Sequence, residues 1–135
     1  ARRQGLPRPL PRHAQATLAA DRQGHFFAEA TINGERVRTL VDTGATFVAL
    51  SEADAGRLGL KMRREDFTYR MSTANGVVAA APVRLAEVQV GEVTLRDVQA
   101  VVHREGGPPV TLLGMSFLGR LGALESGAGR LVLRQ

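Results

Sequence analysis

The sequence predicts a small, mostly β single domain, and three observations carry that expectation. Its 135 residues suffice for one modest core and fall short of two. Apolar residues come in short runs bounded by Gly, Asn, Asp and Pro, which is the punctuation of strands and tight turns. Aromatics make up only 4% and Trp is absent, so the core must be aliphatic, built from Val, Leu and Ala.

Residues 1–15 alternate Pro7, Pro9 and Pro11 with Arg and Leu, a pattern that suits neither a helix nor a central strand and reads as an extended linker. The folded domain is expected over 16–135. Strands are predicted at 17–20 and 26–32, separated by Asp21-Arg22-Gln23-Gly24. Asn33-Gly34 follows, a strong hairpin signal because both positions accept φ > 0. The return strand alternates Val37, Thr39 and Val41 with Arg36, Arg38 and Leu40 and runs directly into Asp42.

A short strand at 47–50 then meets Ser51, a helix N-cap with Asp54 placed to complete a capping box. That helix should cover 52–58 and stop at Gly59. Segments 67–73 and 77–81 flank Asn75-Gly76 as a second hairpin, and 83–90 and 93–102 flank Gly91-Glu92 as a third. Pro108-Pro109 leads into the apolar run 110–113, helical spacing covers 115–121, and 123–126 and 130–133 form a last hairpin around Gly127-Ala128-Gly129.

Composition excludes several function classes. There is no Cys, hence no disulfide framework, thiol nucleophile or Cys-ligated metal. No apolar run is long enough to span a membrane, and the N-terminus lacks the apolar stretch of a signal peptide. The net charge of +5 is concentrated in residues 1–20, which hold Arg2, Arg3, Arg8 and Arg12 and no acid. The remaining 115 residues carry 14 basic and 13 acidic groups, unlike the basic face of a nucleic-acid binder, so no nucleic-acid partner is expected. His13, His25 and His103 lack metal-ligand spacing, and no metal site or other cofactor is expected. Gly114-Met115-Ser116-Phe117-Leu118 misses the nucleophile-elbow pattern, with Leu118 in place of the second Gly.

The chemistry points to Asp42-Thr43-Gly44. The tripeptide alone arises by chance in roughly 3% of chains this long. Its setting, Leu40-Val41-Asp42-Thr43-Gly44-Ala45-Thr46, puts a carboxyl at the end of an apolar strand. Gly44 lets the chain reverse and backbone N–H groups approach that carboxyl. Read alone, the motif fits an Asx-type turn that merely caps amides equally well.

In its full setting the chain resembles the retropepsins and their single-domain bacterial relatives. The matching residues are the catalytic turn, Leu112-Leu113-Gly114 before a short helix, Ser72-Thr73-Ala74-Asn75-Gly76, and the ends Gly24-His25-Phe26-Phe27 and Arg130-Leu131-Val132-Leu133-Arg134. The resemblance implies an all-β, retropepsin-like closed barrel with one or two short helices, working as a homodimer on extended polypeptide substrates. Asp42 is then the catalytic residue. Thr43, Gly44, Leu112, Leu113 and Gly114 support it, with Thr43 bracing the dimer. Ala45, Thr46 and the flap residues Ser72, Thr73, Ala74, Asn75 and Gly76 bind substrate. Arg130–Arg134 is the expected interface strand. The subfamily implied is bacterial, tethered to the inner membrane and facing the periplasm through an anchor upstream of residue 1. Aspartic proteolysis needs two carboxyls and the motif occurs once, so a second copy must supply the other. A dimeric peptide-binding module without turnover is the alternative.

Overall fold

The computed structural model describes residues 14–135. These form β1 (Gln15–Ala19), β2 (Phe27–Ile32), β3 (Glu35–Val41), β4 (Val48–Leu50), α1 (Glu52–Arg57), a 3-10 turn (Arg64–Asp66), β5 (Tyr69–Thr73), β6 (Gly76–Val90), β7 (Val93–His103), β8 (Thr111–Leu113), α2 (Met115–Leu118), β9 (Ala123–Gly127) and β10 (Arg130–Arg134). Strands β2, β3, β8, β4, β7 and β6 lie side by side in that order. A further β2–β6 pairing closes them into a six-stranded barrel, and β5 extends from β6 as an outer hairpin arm. A separate sheet has the order β1-β10-β9.

The barrel is filled as the alternation of each strand requires. Val37 and Thr39 of β3 point inward, with Ile32, Leu50, Leu85, Leu113 and Phe117, all buried. Thr39 is polar in an apolar core, and its hydroxyl is satisfied by donating to the Ala28 carbonyl at 2.9 Å. Asn33 and Gly34 adopt φ of 49° and 86°, the left-handed pair that a two-residue hairpin between Ile32 and Glu35 demands. In the β1–β2 connection, Asp21 Oδ1 accepts the N–H groups of Gln23 and His25. The His25 bond foremost holds that carboxyl below its ordinary range.

Several elements differ from the sequence expectation. The strands expected at 77–81 and 83–90 are one continuous β6, with Pro82 inside it. Between Ala80 and Val88 this strand has a ladder on the β7 side only, so a residue without an N–H is accommodated there. Both β6 and β7 change which side chains face inward near Ala86–Glu87 and Arg96–Asp97, where Asp97 takes φ 55°. That bend is a tertiary feature of a curved sheet and has no local signature. Strand β5 starts at Tyr69, two residues later than expected, because the 3-10 turn occupies Arg64–Asp66.

The helix α2 stops after Leu118, and Phe47 lies outside β4. Strand β1 begins at Gln15, and the carbonyl of buried Ala14 accepts the Gln135 N–H, so the sheet reaches into the segment read as linker. The rest of that segment lies outside the described residues. Strand β1 forms its ladder with β10, and a single bridge, Ala20–Phe26, lies between the end of β1 and the start of β2.

Ser51 caps α1 by accepting the Asp54 N–H at 3.2 Å. The reciprocal half of the expected capping box is not made. Asp54 instead accepts the Thr111 hydroxyl at 2.6 Å and pairs with Arg57 at 3.1 Å, while Thr111 Oγ1 accepts the Ser51 N–H. This network pins α1 to β8.

Candidate active site

The turn carrying Asp42 hangs between two parallel strands. Strand β3 delivers it and pairs with β8, Val41 opposite Leu113 and Leu40 opposite Leu112. The Asp42 N–H donates to the Leu113 carbonyl at 3.1 Å, extending that ladder by one bond. The Gly44 N–H donates to Asp42 Oδ1 at 2.9 Å, and the Ala45 N–H to the Asp42 carbonyl at 3.1 Å. These bonds hold the half-buried carboxyl in place, with one of its oxygens accepting a backbone amide.

Gly114 explains the apolar-apolar-Gly sequence behind the turn. A Cβ at this position would run into the carbonyl oxygens of Phe47 and Ala45, which are backbone and have no room to move. Beyond it the Met115 N–H donates to Ala45 O and the Ser116 N–H to Thr46 O, both at 2.8 Å. The first turn of α2 is therefore stitched to the exit of the Asp42 turn.

Asp42 opens onto a cleft of about 730 Å³. Leu40, Ala45, Ala49 and Leu112 contribute to its floor, and Ser72, Thr73 and Ala74 of the β5–β6 hairpin line it from the other side. Among the described residues, Asp42 is the one carboxylate in its lining. Gly44 and Thr46 are exposed beside it, and Thr43 is exposed but does not line it. Leu113 and Gly114 lie buried below, supporting without touching the cleft.

The hairpin tip differs in detail from the sequence reading. Thr73 pairs with Gly76, so Ala74 and Asn75 form the two-residue loop, and neither Asn75 nor Gly76 lines the cleft. Gly76 takes φ 113°, which a side-chain-bearing residue adopts only under strain. The Thr73 hydroxyl donates to the Gly76 carbonyl at 2.7 Å and accepts the Asn75 N–H, closing the tip locally.

Sequence reasoning did not anticipate the aromatic wall. Phe47 and Tyr69 meet edge to face, 5.5 Å apart at 84°, and both line the cleft with Met71 and Pro108 to Val110. The available signal was that one of few aromatics follows the catalytic turn directly. Its partner on β5 is visible only in three dimensions.

A strand-end carboxyl backed by an apolar-apolar-Gly strand and faced by a hairpin across a cleft defines the aspartic protease class. Residues 28–120 match the family model of gag-polyprotein putative aspartyl protease. The chain belongs to the retropepsin-like aspartic protease family. It is similar to a retropepsin-like aspartic protease from Rickettsia conorii, with 33% identity, a TM-score of 0.80, and coverage of 90% of this chain and 91% of that one. EIAV protease in complex with an inhibitor shares the fold at TM-score 0.60, with 24% identity and coverage of 75% and 91%.

Uncharacterised proteins of Sinorhizobium sp and Rickettsia prowazekii are 42% and 36% identical, over 82% and 76% of this chain. The chain spans about half the length of those two relatives, 48% and 44%. Among the described residues no helix is long and apolar enough to cross a membrane.

Proposed function

We propose that this chain is half of an aspartic endopeptidase whose dyad is Asp42 from each of two protomers. The observation that supports it most is a peptide-sized cleft with Asp42 at its floor and no second carboxylate among the described lining residues. One ionised Asp42 takes a proton from water as the water oxygen bonds to the scissile carbonyl carbon. The other, protonated, gives its proton to the carbonyl oxygen. In the tetrahedral diol that results, the C–N bond breaks as the now protonated Asp42 gives its proton to the nitrogen and the other, now ionised, takes a proton from a diol hydroxyl, leaving a carboxyl and an amine.

Two carboxyls in contact do not ionise together, so they titrate as a unit with one shared proton. Thr43, exposed at the turn, braces the partner's turn in this reading, and Gly44 with Ala45 and Thr46 meets the substrate backbone. The β5–β6 hairpin covers an extended substrate and adds main-chain hydrogen bonds to it. An anchor to the bacterial inner membrane, facing the periplasm, would lie upstream of residue 1. Neither metal nor organic cofactor enters this chemistry.

Asp42→Asn tests the reading, because an amide neither shares the proton nor accepts one from water. Turnover of a cleaved peptide should fall at least ~100-fold while sedimentation and circular dichroism stay unchanged. Activity of the variant within tenfold of wild type would refute the assignment. Wild-type protein that binds peptides without cutting them would identify a non-catalytic peptide-binding module instead.

A further inference from the structure

We infer that Ser116 is a positioning residue that sets the distance between the two Asp42 carboxyls, an inference that rests on the paired-Asp42 reading above. The catalytic turn is fastened at its entrance by the backbone ladder to Leu113. At its exit, beside the backbone bonds from the Met115 and Ser116 N–H groups and the β4–β7 ladder, one side chain adds a further fastening. Ser116 Oγ accepts the Val48 N–H at 2.8 Å and donates to the Gln99 carbonyl of β7 at 2.6 Å, while its own N–H donates to Thr46 O.

The hydroxyl thus spends its one proton and a lone pair on two different strands, tying the turn to β7 of the barrel wall. The bonds within the turn, from Gly44 and Ala45 back to Asp42, shape it but do not locate it against the barrel. Thr43, Gly44 and Thr46 are exposed, so the apex of the turn is held by hydrogen bonds, while Ala45 and Phe47 at its exit pack against the core. Ser116 does not cap α2, whose N-cap is Gly114, and it lies outside the cleft lining. Its role is exerted through the turn.

In a two-fold dimer any shift of the turn is applied twice, once from each side. Wider separation weakens the coupling between the carboxyls and brings the two macroscopic pKa values of the pair together. Loosening Ser116 should therefore narrow the bell-shaped pH profile of kcat/KM as well as lower its height. A residue that only stabilised the fold would lower activity in proportion to the folded fraction and leave both limbs in place.

The experiment measures pH profiles of wild type, Ser116→Ala, Ser116→Thr and Ser116→Cys on one peptide, at concentrations where sedimentation shows the folded dimer. Ser116→Ala should lower kcat by about 10- to 100-fold with KM within threefold and bring the two limbs closer. Ser116→Thr keeps the hydroxyl and should restore both height and width. Ser116→Cys, a weaker donor and acceptor of similar size, should fall between them and supplies the readout where the alanine variant does not fold. Limbs that stay in place in the alanine variant, or in the cysteine variant if that is the one that folds, would overturn the inference. So would a loss confined to KM. A wild-type profile with a single limb would overturn the paired-Asp42 reading, and the role of Ser116 with it.

Discussion

Gly114 is where backbone, packing and chemistry meet on one atom that is absent. The carbonyls of Phe47 and Ala45 occupy the space a side chain would need, and the next two N–H groups, of Met115 and Ser116, hold the Asp42 turn. Even one methyl must therefore push the turn away from β8. Gly114→Ala should destabilise the protein by about 1–3 kcal/mol, the ordinary range for overpacking a filled site. It should also lower turnover by far more than the small loss of folded protein explains. Urea denaturation alongside peptide turnover checks both, and a variant with wild-type activity would mean the turn tolerates displacement. The same reasoning separates Gly114 from Gly76. No atom approaches the Cβ position of Gly76, and its constraint is the positive φ alone.

At the scale of elements, the β5–β6 hairpin stands out because it leaves the barrel. From Tyr69 to Ala80 it is paired within itself, and its tip is closed by Thr73. Val77 is 61% exposed, an apolar side chain with no cover in the protomer. A covering flap would use such a surface on closing. Hydrogen exchange with a peptide-like transition-state inhibitor bound should show greater added protection across 73–78 than across 93–102, which lies in the barrel wall. Equal gains in the two segments would identify a static hairpin. By contrast, α1 is fixed in its first turn by the Ser51 cap and the Asp54–Thr111 bond to β8, and in its last by Arg57, which donates to the Arg36 carbonyl at 2.7 Å. That rigidity is transmitted to Leu112, which lines the cleft, and no motion is expected there.

For the whole molecule, the proposed dyad gives each protomer half of the chemistry. Dilution should therefore reduce the rate per protomer once the concentration passes below the dimer dissociation constant, with the same midpoint in sedimentation. Full activity in a sedimenting monomer would contradict the two-protomer site. The three-stranded sheet refines where partners could meet. Strand β10, expected from the sequence at the interface, is flanked by β1 and β9 and has no free edge in the protomer. Strand addition would have to use β1 or β9, where Leu124 is partly exposed.

The sequence by itself determined what depends on neighbours a few residues away. The Asn33-Gly34 hairpin, the alternation of β3 into Asp42 and the Ser51 cap were all legible, because turn φ values, strand period and capping are local constraints. Asp42-Thr43-Gly44 and Leu112-Leu113-Gly114 stood out as motifs, and the fold places them side by side. Tertiary structure alone decided the pairings that bring distant chain together. These include β1 on β10, the uninterrupted β6 through Pro82, the bend at Asp97, and the Phe47–Tyr69 wall. Ser116 is the sharpest case: its hydroxyl binds an amide 68 positions earlier, and no local pattern distinguishes it from any other serine on a short helix. Its significance comes from where barrel closure places it, because a hydrogen bond depends on geometry in space and not on separation along the chain.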